Sequence, residues 1–356
     1  MIIFKREGAP IFQSMKYEAA KLKDISKALG LSASTISRAL NDSYEISEKT
    51  KILVREYASK INYRPNPVAV NLREKRSRSI GVIIAEIANS FFSQMINGVE
   101  SVAKSKGYNV IITQSLESYN LELNNLNFLA SSSVDGCLIS VSTETENFDH
   151  IFQLHKKGLP FVCFDRIVEG LKTHKVSFDN YKGAYEATGE LLNNGFKRIA
   201  MLGNAGHLSI TQERLSGYKK ALEDAGILFD KSLVRYCMHG GMIYDEVKQA
   251  IDQLLRQRKK PDAFFAASDK LTTNIIRYCN NRKIHIPDEL GLIGFSNLDI
   301  ADLLSPSLSV IRQPAFEMGK SAAELLIKLI ESKRPPVDFE NKVFPPELLI
   351  RKSSVK

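Results

Sequence analysis

Long hydrophobic runs are missing from this 356-residue chain. None approaches the roughly 18 residues of a membrane-spanning helix, so no membrane partner is expected. The opening stretch, MIIFKREGAPIFQSMKYEAAK, has no continuous apolar core ahead of a small-residue cleavage site. A secretory leader is therefore not expected, and the reading places the chain in the cytoplasm. Cysteine is sparse: Cys137, Cys163, Cys237 and Cys279 stand far apart inside apolar segments, with no CxxC pair. That excludes a disulfide-stapled scaffold and points to buried thiols. The six histidines are equally scattered, and His150 and His155, five apart, do not share a helix face as an HExxH pair does. No metal site is expected.

Catalytic signatures are missing as well. The first strand candidate, Ile80–Ala85, is followed by EIANSFF and not by the glycine loop of a dinucleotide fold. Gly319-Lys320-Ser321 matches the end of a phosphate loop, but Pro314 stands where its first glycine belongs. No GxSxG elbow and no compact acid/base pair occur. A binding module is favoured over an enzyme, and no cofactor is expected.

What is present is a globular composition, 44% hydrophobic and 25% charged, with an uneven charge. Residues 1–80 carry 16 Lys+Arg against 8 Asp+Glu, most of the net charge of +9. Confinement of the surplus to one end suits a phosphate backbone as partner. That same end reads KDISKALGLSASTISRALN from Lys23 to Asn41. Ile25, Ala28 and Leu29 share one helical face, and Ile36, Ala39 and Leu40 share another. Gly30 makes the bend between them, Ser32 is placed to cap the second helix, and Ala28 is small enough to let the helices approach. This is a helix-turn-helix whose outer face, Ala33, Ser34, Ser37 and Arg38, suits a major groove. A third helix follows Ser47, with Ile52, Leu53, Tyr57, Ala58 and Ile61 at core spacing. Pro65 to Ser79 then reads as a linker with a marginal helix, ordered by DNA or a partner chain.

From Ile80 the chain alternates apolar strands with amphipathic helices. The strand candidates are Ile80–Ala85, Tyr108–Ile112, Cys137–Val141, Phe161–Phe164, Arg198–Leu202, Ala263–Ala267 and Leu290–Phe295. The helix candidates include Ser93–Lys106, Leu121–Ser132, Gly183–Asn194, Arg214–Ala225, Asp245–Arg256 and Leu271–Asn281. Such alternation predicts parallel sheets covered on both faces, and the break near Lys175–Asn180 predicts two lobes with a cleft between them.

The stretches KDISKALGLSASTISRALN, EISEKTKILVREYASKINYRPNP, AVNLREKRSRSIGVII and IANSFF, in this order and spacing, resemble the LacI/GalR family of bacterial regulators. The resemblance runs from about Leu22 to the C-terminus. It implies an all-α helix-turn-helix headpiece (21–65), a hinge helix and linker (66–79), and a two-lobed, periplasmic-binding-protein-like α/β domain (80–356). Lobe 1 is expected at about 80–176 and 288–315, lobe 2 at about 177–287 and 316–350. Residues 1–20 have no counterpart in the family: they read as a disordered arm or as a start misassigned ahead of Met15.

Carried over by the resemblance, Ala33, Ser34 and Arg38 read bases, while Thr35, Ser37 and Asn41 contact or position phosphates. Asn66, Ala69 and Leu72 belong to the hinge, with Leu72 as the minor-groove wedge. Val70 stands where the family often has Arg, and Pro67 shifts the hinge start. In the cleft, Phe91 and Phe92 form an aromatic wall, and Asp165, Arg166, Arg214 and Asp269 supply polar contacts to a sugar-like effector. Asp269 also reads as a helix cap and Arg166 as a structural partner of Asp165. Ser296 stands where the family commonly has Asp, which leaves a modified sugar, an oligosaccharide or a phosphosugar open. Met238 reads as packing. The expected regulator is a homodimer on a double-stranded, pseudo-palindromic operator, probed by two headpieces. Ligand shifts the lobes, separates the hinges and withdraws Leu72. A solute-binding receptor is the alternative of another class.

Overall fold

The computed structural model describes residues 20–64, 76–334 and 336–356. It divides into one unit ending at Lys75 and another running from Arg76 to Lys356. Asn66, Ala69 and Leu72, the expected hinge residues, lie outside the described residues, as do residues 1–19.

In the first unit, α1 (Leu22–Leu29), α2 (Ala33–Leu40) and α3 (Glu48–Lys60) bury one small core of Ile25, Ile36, Ala39, Val54 and Ala58. Gly30 ends α1 in the left-handed region at φ 64°, where a side chain is strained. Ser32 then accepts from the Thr35 N–H at 3.1 Å to start α2, and Ser47 does the same for α3 through Thr50 at 3.3 Å. Two expectations need correction. Ala28 is exposed, because the buried stripe of α1 runs through Leu22, Ile25 and Leu29. Ile52 and Leu53 are 53% and 49% exposed, because the inner face of α3 is set by Val54 and Ala58, spaced four apart.

The second unit holds two six-stranded sheets. The first has the order β11-β5-β4-β3-β1-β2, from β1 (Ser79–Ile84), β2 (Asn109–Gln114), β3 (Gly136–Ile139), β4 (Phe161–Phe164), β5 (Lys175–Phe178) and β11 (Asn341–Phe344). The second has the order β12-β10-β9-β8-β6-β7, from β6 (Ile199–Gly203), β7 (Val234–Tyr236), β8 (Ala263–Ala266), β9 (Gly291–Phe295), β10 (Ser309–Arg312) and β12 (Glu347–Leu349). Pairing is parallel except for β12 against β10. The central strands are buried along their length, as sheets covered on both faces require. Helices α4 (Ser90–Ser105), α5 (Tyr119–Ser131) and α6 (Asp149–Lys156) belong to the first lobe, and α7 (Asn180–Asn193), α8 (Ser209–Asp224), α9 (Tyr244–Leu255) and α10 (Asp269–Arg282) to the second.

The two late segments are exchanged relative to expectation. Residues 288–315 contribute β9 and β10 to the second lobe, since β9 pairs in register with β8 through Ala263↔Gly291. The segment expected in the second lobe from 316 instead supplies most of α11 (Ala315–Glu331) and β11 to the first lobe, and only β12 returns to the second. The physical reason is a close helix crossing: Cβ atoms built at Gly98 of α4 and Gly319 of α11 would stand 2.1 Å from Phe316 O and Met95 O. Only glycine on both helices lets α11 seat on α4, so the chain passes between lobes three times.

Candidate functional site

Two sites merit description, one in each unit. On the headpiece, Ala33, Ser34, Arg38 and Asn41 are exposed on one side of α2, with Thr35 and Ser37 partly buried behind them. The side chains are already organised. Thr35 Oγ1 lies 2.8 Å from Ser32 Oγ, Asn41 Nδ2 donates to the Ser37 carbonyl at 2.6 Å, and Arg38 Nη1 pairs with Glu45 Oε2 at 2.8 Å. Asp42 bridges to Lys51 (3.0 Å) and Arg55 (2.9 Å), tying the loop after α2 to α3. The Arg38–Glu45 pair is too exposed to matter for stability, but it sets where the guanidinium points.

In the second unit, the loops leaving the C-terminal ends of both sheets face each other, where open parallel sheets bind ligands. The cleft between them holds about 330 Å³ of free space, open solvent included. Glu86, Asn89, Phe92, Glu117 and Arg166 line it from the first lobe; Asn204, Gly240, Met242, Ser268 and Lys270 line it from the second. Six of them follow strand ends: Glu86 after β1, Glu117 after β2, Arg166 after β4, Asn204 after β6, Gly240 after β7 and Ser268 after β8. The lobes are joined across it by Lys270 Nζ to Glu86 Oε2 at 2.9 Å and by Asn297 Nδ2 to Gln94 Oε1 at 2.8 Å. Larger depressions over α7/α8 and beside the 284–308 loops, about 810 and 1120 Å³, are lined by no buried polar atom lacking a partner among the described residues. Two residues lining the cleft carry such atoms, Arg166 at Nε and Asn204 at Oδ1.

Of the seven expected effector residues, Phe92 and Arg166 line this space, and the other five do not. Phe91 and Phe92 are both buried, in edge-to-face contact at 5.2 Å, with Phe92 also against Phe164. Arg166 is engaged less by Asp165, 4.0 Å away, than by Glu117, which it meets with two nitrogens at 2.6 and 2.7 Å. Burial alone pushes the Glu117 carboxyl up, but the guanidinium and the Thr143 donors outweigh it and hold the pKa below the ordinary range. Asp165 is the opposite case: burial dominates and raises its pKa despite Arg166 and Arg214 nearby. Arg214 donates through Nε to Asn180 Oδ1 at 2.9 Å and through Nη1 to the Ala267 carbonyl, and lies 3.9 Å over the Phe295 ring. Burial lowers its pKa to about 10.

Asp269 and Ser296 are bonded to each other, Ser296 Oγ donating to Asp269 Oδ1. Asp269 also accepts from the backbone N–H groups of Asn297 and of Ser90, at the start of α4. The cap of its own helix α10 is Ser268, so the capping role read for Asp269 is taken by its neighbour. Met238, read as packing, is 49% exposed. Glu117 and Asn204 were missed; the signal available was their position just after a strand.

A three-helix headpiece with an exposed second helix, and two parallel-sheet lobes facing across a polar cleft, define a DNA-binding regulator with a small-molecule-binding domain. Residues 21–66 match bacterial regulatory proteins of the lacI family, and residues 188–354 match the periplasmic binding protein-like domain. The chain is 32% identical over 341 residues to the HTH-type transcriptional repressor PurR of Vibrio atlanticus (strain LGP32), covering 95% of this chain and 99% of that one. The complex of the transcriptional regulator CelR with cellobiose superposes with a TM-score of 0.69 at 25% identity, over 94% of this chain and 99% of the other. The lac repressor dimer bound to operator and the anti-inducer ONPF superposes at 0.78 and 20% identity, over 95% and 100%, a likeness of fold. The chain belongs to the lacI family of bacterial regulatory proteins and is a helix-turn-helix DNA-binding transcription regulator.

Proposed function

We propose that this regulator is a repressor whose operator affinity is set by a carbohydrate-like effector in the interlobe cleft, and that it acts as a homodimer. The observation that carries the effector reading is that two residues lining the cleft from opposite lobes, Arg166 and Asn204, each carry a buried polar atom with no hydrogen-bond partner, Nε and Oδ1. Leaving such groups unpaired costs free energy, and a ligand that pairs them favours one lobe arrangement over another. Phe92 offers an apolar wall of the kind on which a sugar ring packs. The cellobiose complex of CelR, a relative with the same lobes, supports this ligand class. Asp165 stands beside the lining residue Arg166, and Asp269, bonded to Ser296, ties the start of α4 to the second lobe. On the DNA side, Ala33, Ser34 and Arg38 read base edges and Thr35, Ser37 and Asn41 position the helix on phosphates. A two-fold pair doubles the base-edge area one short helix offers.

The test has two arms. A thermal-shift panel of carbohydrates supplies a binder; its titration onto the complex with a duplex selected from a random pool is expected to change operator affinity at least about fivefold. A binder that leaves affinity unchanged contradicts the proposal. In the second arm, Arg38→Ala is expected to cost roughly 1–3 kcal/mol on the selected duplex and little on a scrambled one, read by fluorescence anisotropy. Equal losses on both would remove Arg38 from base readout.

A further inference from the structure

A guanidinium at a ligand cleft is ordinarily an anion clamp, because its planar fork of donors matches phosphate and carboxylate oxygens. Arg166 is built differently. Its two terminal nitrogens are taken by Glu117 at 2.6 and 2.7 Å, and Nη1 also donates to the Val141 carbonyl at 2.8 Å. Glu117 is itself locked, accepting the Thr143 N–H and hydroxyl at 2.7 Å each. An incoming phosphate must therefore displace a carboxylate that is nearly fully buried and holds four donors. The other cation on the wall, Lys270, is paired with Glu86 across the lobes at 2.9 Å. The lining holds two cations and two carboxylates, and no cation is left over for a dianion. Bringing an uncompensated charge into such a place is expensive.

The atoms that are left over ask for a different chemistry. Arg166 Nε is a donor and Asn204 Oδ1 an acceptor, both buried and neither in a hydrogen bond, the Asp165 carboxylate standing 4.0 Å from Nε. A phosphate ester dianion can accept from the first but has no phosphate proton for the second. A hydroxyl group can serve either.

We infer that Glu117 is the charge-selecting residue of the cleft: by committing Arg166, it admits neutral hydroxylated ligands and excludes phosphate esters. This rests on the effector reading above and removes the phosphosugar from its alternatives. The probe is inorganic phosphate, titrated calorimetrically into the full chain with its DNA-reading face saturated by a random-sequence duplex. The wild-type chain is expected to give no saturable heat. Glu117→Gln keeps the shape but frees the fork, and is expected to give saturable heat, with a dissociation constant at least about tenfold below the limit set by the wild-type titration, the worth of one charge-assisted hydrogen bond. Adding Arg166→Gln is expected to abolish the gain, with thermal unfolding confirming that each variant is folded. If Glu117→Gln does not fold, the wild-type titration decides alone. Saturable phosphate binding by the wild-type chain, or a folded Glu117→Gln chain with no gain, overturns the inference. A cleft that rejects phosphate in a chain whose operator affinity ignores every carbohydrate would instead overturn the effector reading.

Discussion

Asp165 sits at the end of β4 with φ 57°, its carboxylate buried. Burial raises its folded-state pKa above the ordinary 3.8, against the pull of Arg166 and Arg214. A carboxylate raised on folding costs stability once ionised, and that cost is relieved as pH falls through the folded pKa. Asparagine tolerates the same left-handed backbone. Asp165→Asn is therefore expected to raise the melting temperature at neutral pH, with the gain shrinking as the solution is acidified. A lowered melting temperature at neutral pH would mean that the two arginines outweigh burial. Residues with local signatures were legible in the sequence: Ser32 and Ser47 as caps, and Gly30 as the bend. Glu117 and Asn204 were not, because their roles come from partners 49 residues away or from the opposite lobe, which no spacing along the chain displays.

Helix packing depends on which glycines face another backbone. A Cβ at Gly98 would meet Phe316 O at 2.1 Å, whereas one at Gly189, inside α7, meets nothing within 4 Å. Alanine favours a helix over glycine by about 1 kcal/mol when nothing else changes. Gly189→Ala is thus expected to raise the midpoint of thermal or urea unfolding, and Gly98→Ala to lower it, with a loss of stability of roughly 1–3 kcal/mol as α4 and α11 are pushed apart. Shifts of the same sign in both variants would contradict the close crossing. The same crossing explains what the sequence concealed about the lobes. Seven apolar runs announced their strands, and all of these but the edge strand β2 are buried along most of their length. β5, β7, β10, β11 and β12 span three or four residues, and β5, β7, β11 and β12 are only partly buried, so their periodicity is weak. α11 was hidden by reading Gly319 as part of a failed phosphate loop, when it is the contact that brings α11 to the first lobe.

Over the whole molecule, charge and cleft divide the labour. The basic surplus lies in residues 1–80, while the residues beyond are nearly balanced, so DNA affinity is expected to weaken steeply with salt. The two-part organisation was the most legible feature of all, since the charge asymmetry and the change of helical to strand periodicity fall at the same place. Linkage between two sites is reciprocal: if the effector changes operator affinity, operator must change effector affinity by the same factor. The direct measurement is the dissociation constant of the carbohydrate binder, determined by calorimetry for the free chain and for the chain saturated with its selected duplex. We expect the two constants to differ at least about fivefold, matching the shift in operator affinity. Equal constants would mean that the cleft and the helix-turn-helix act independently.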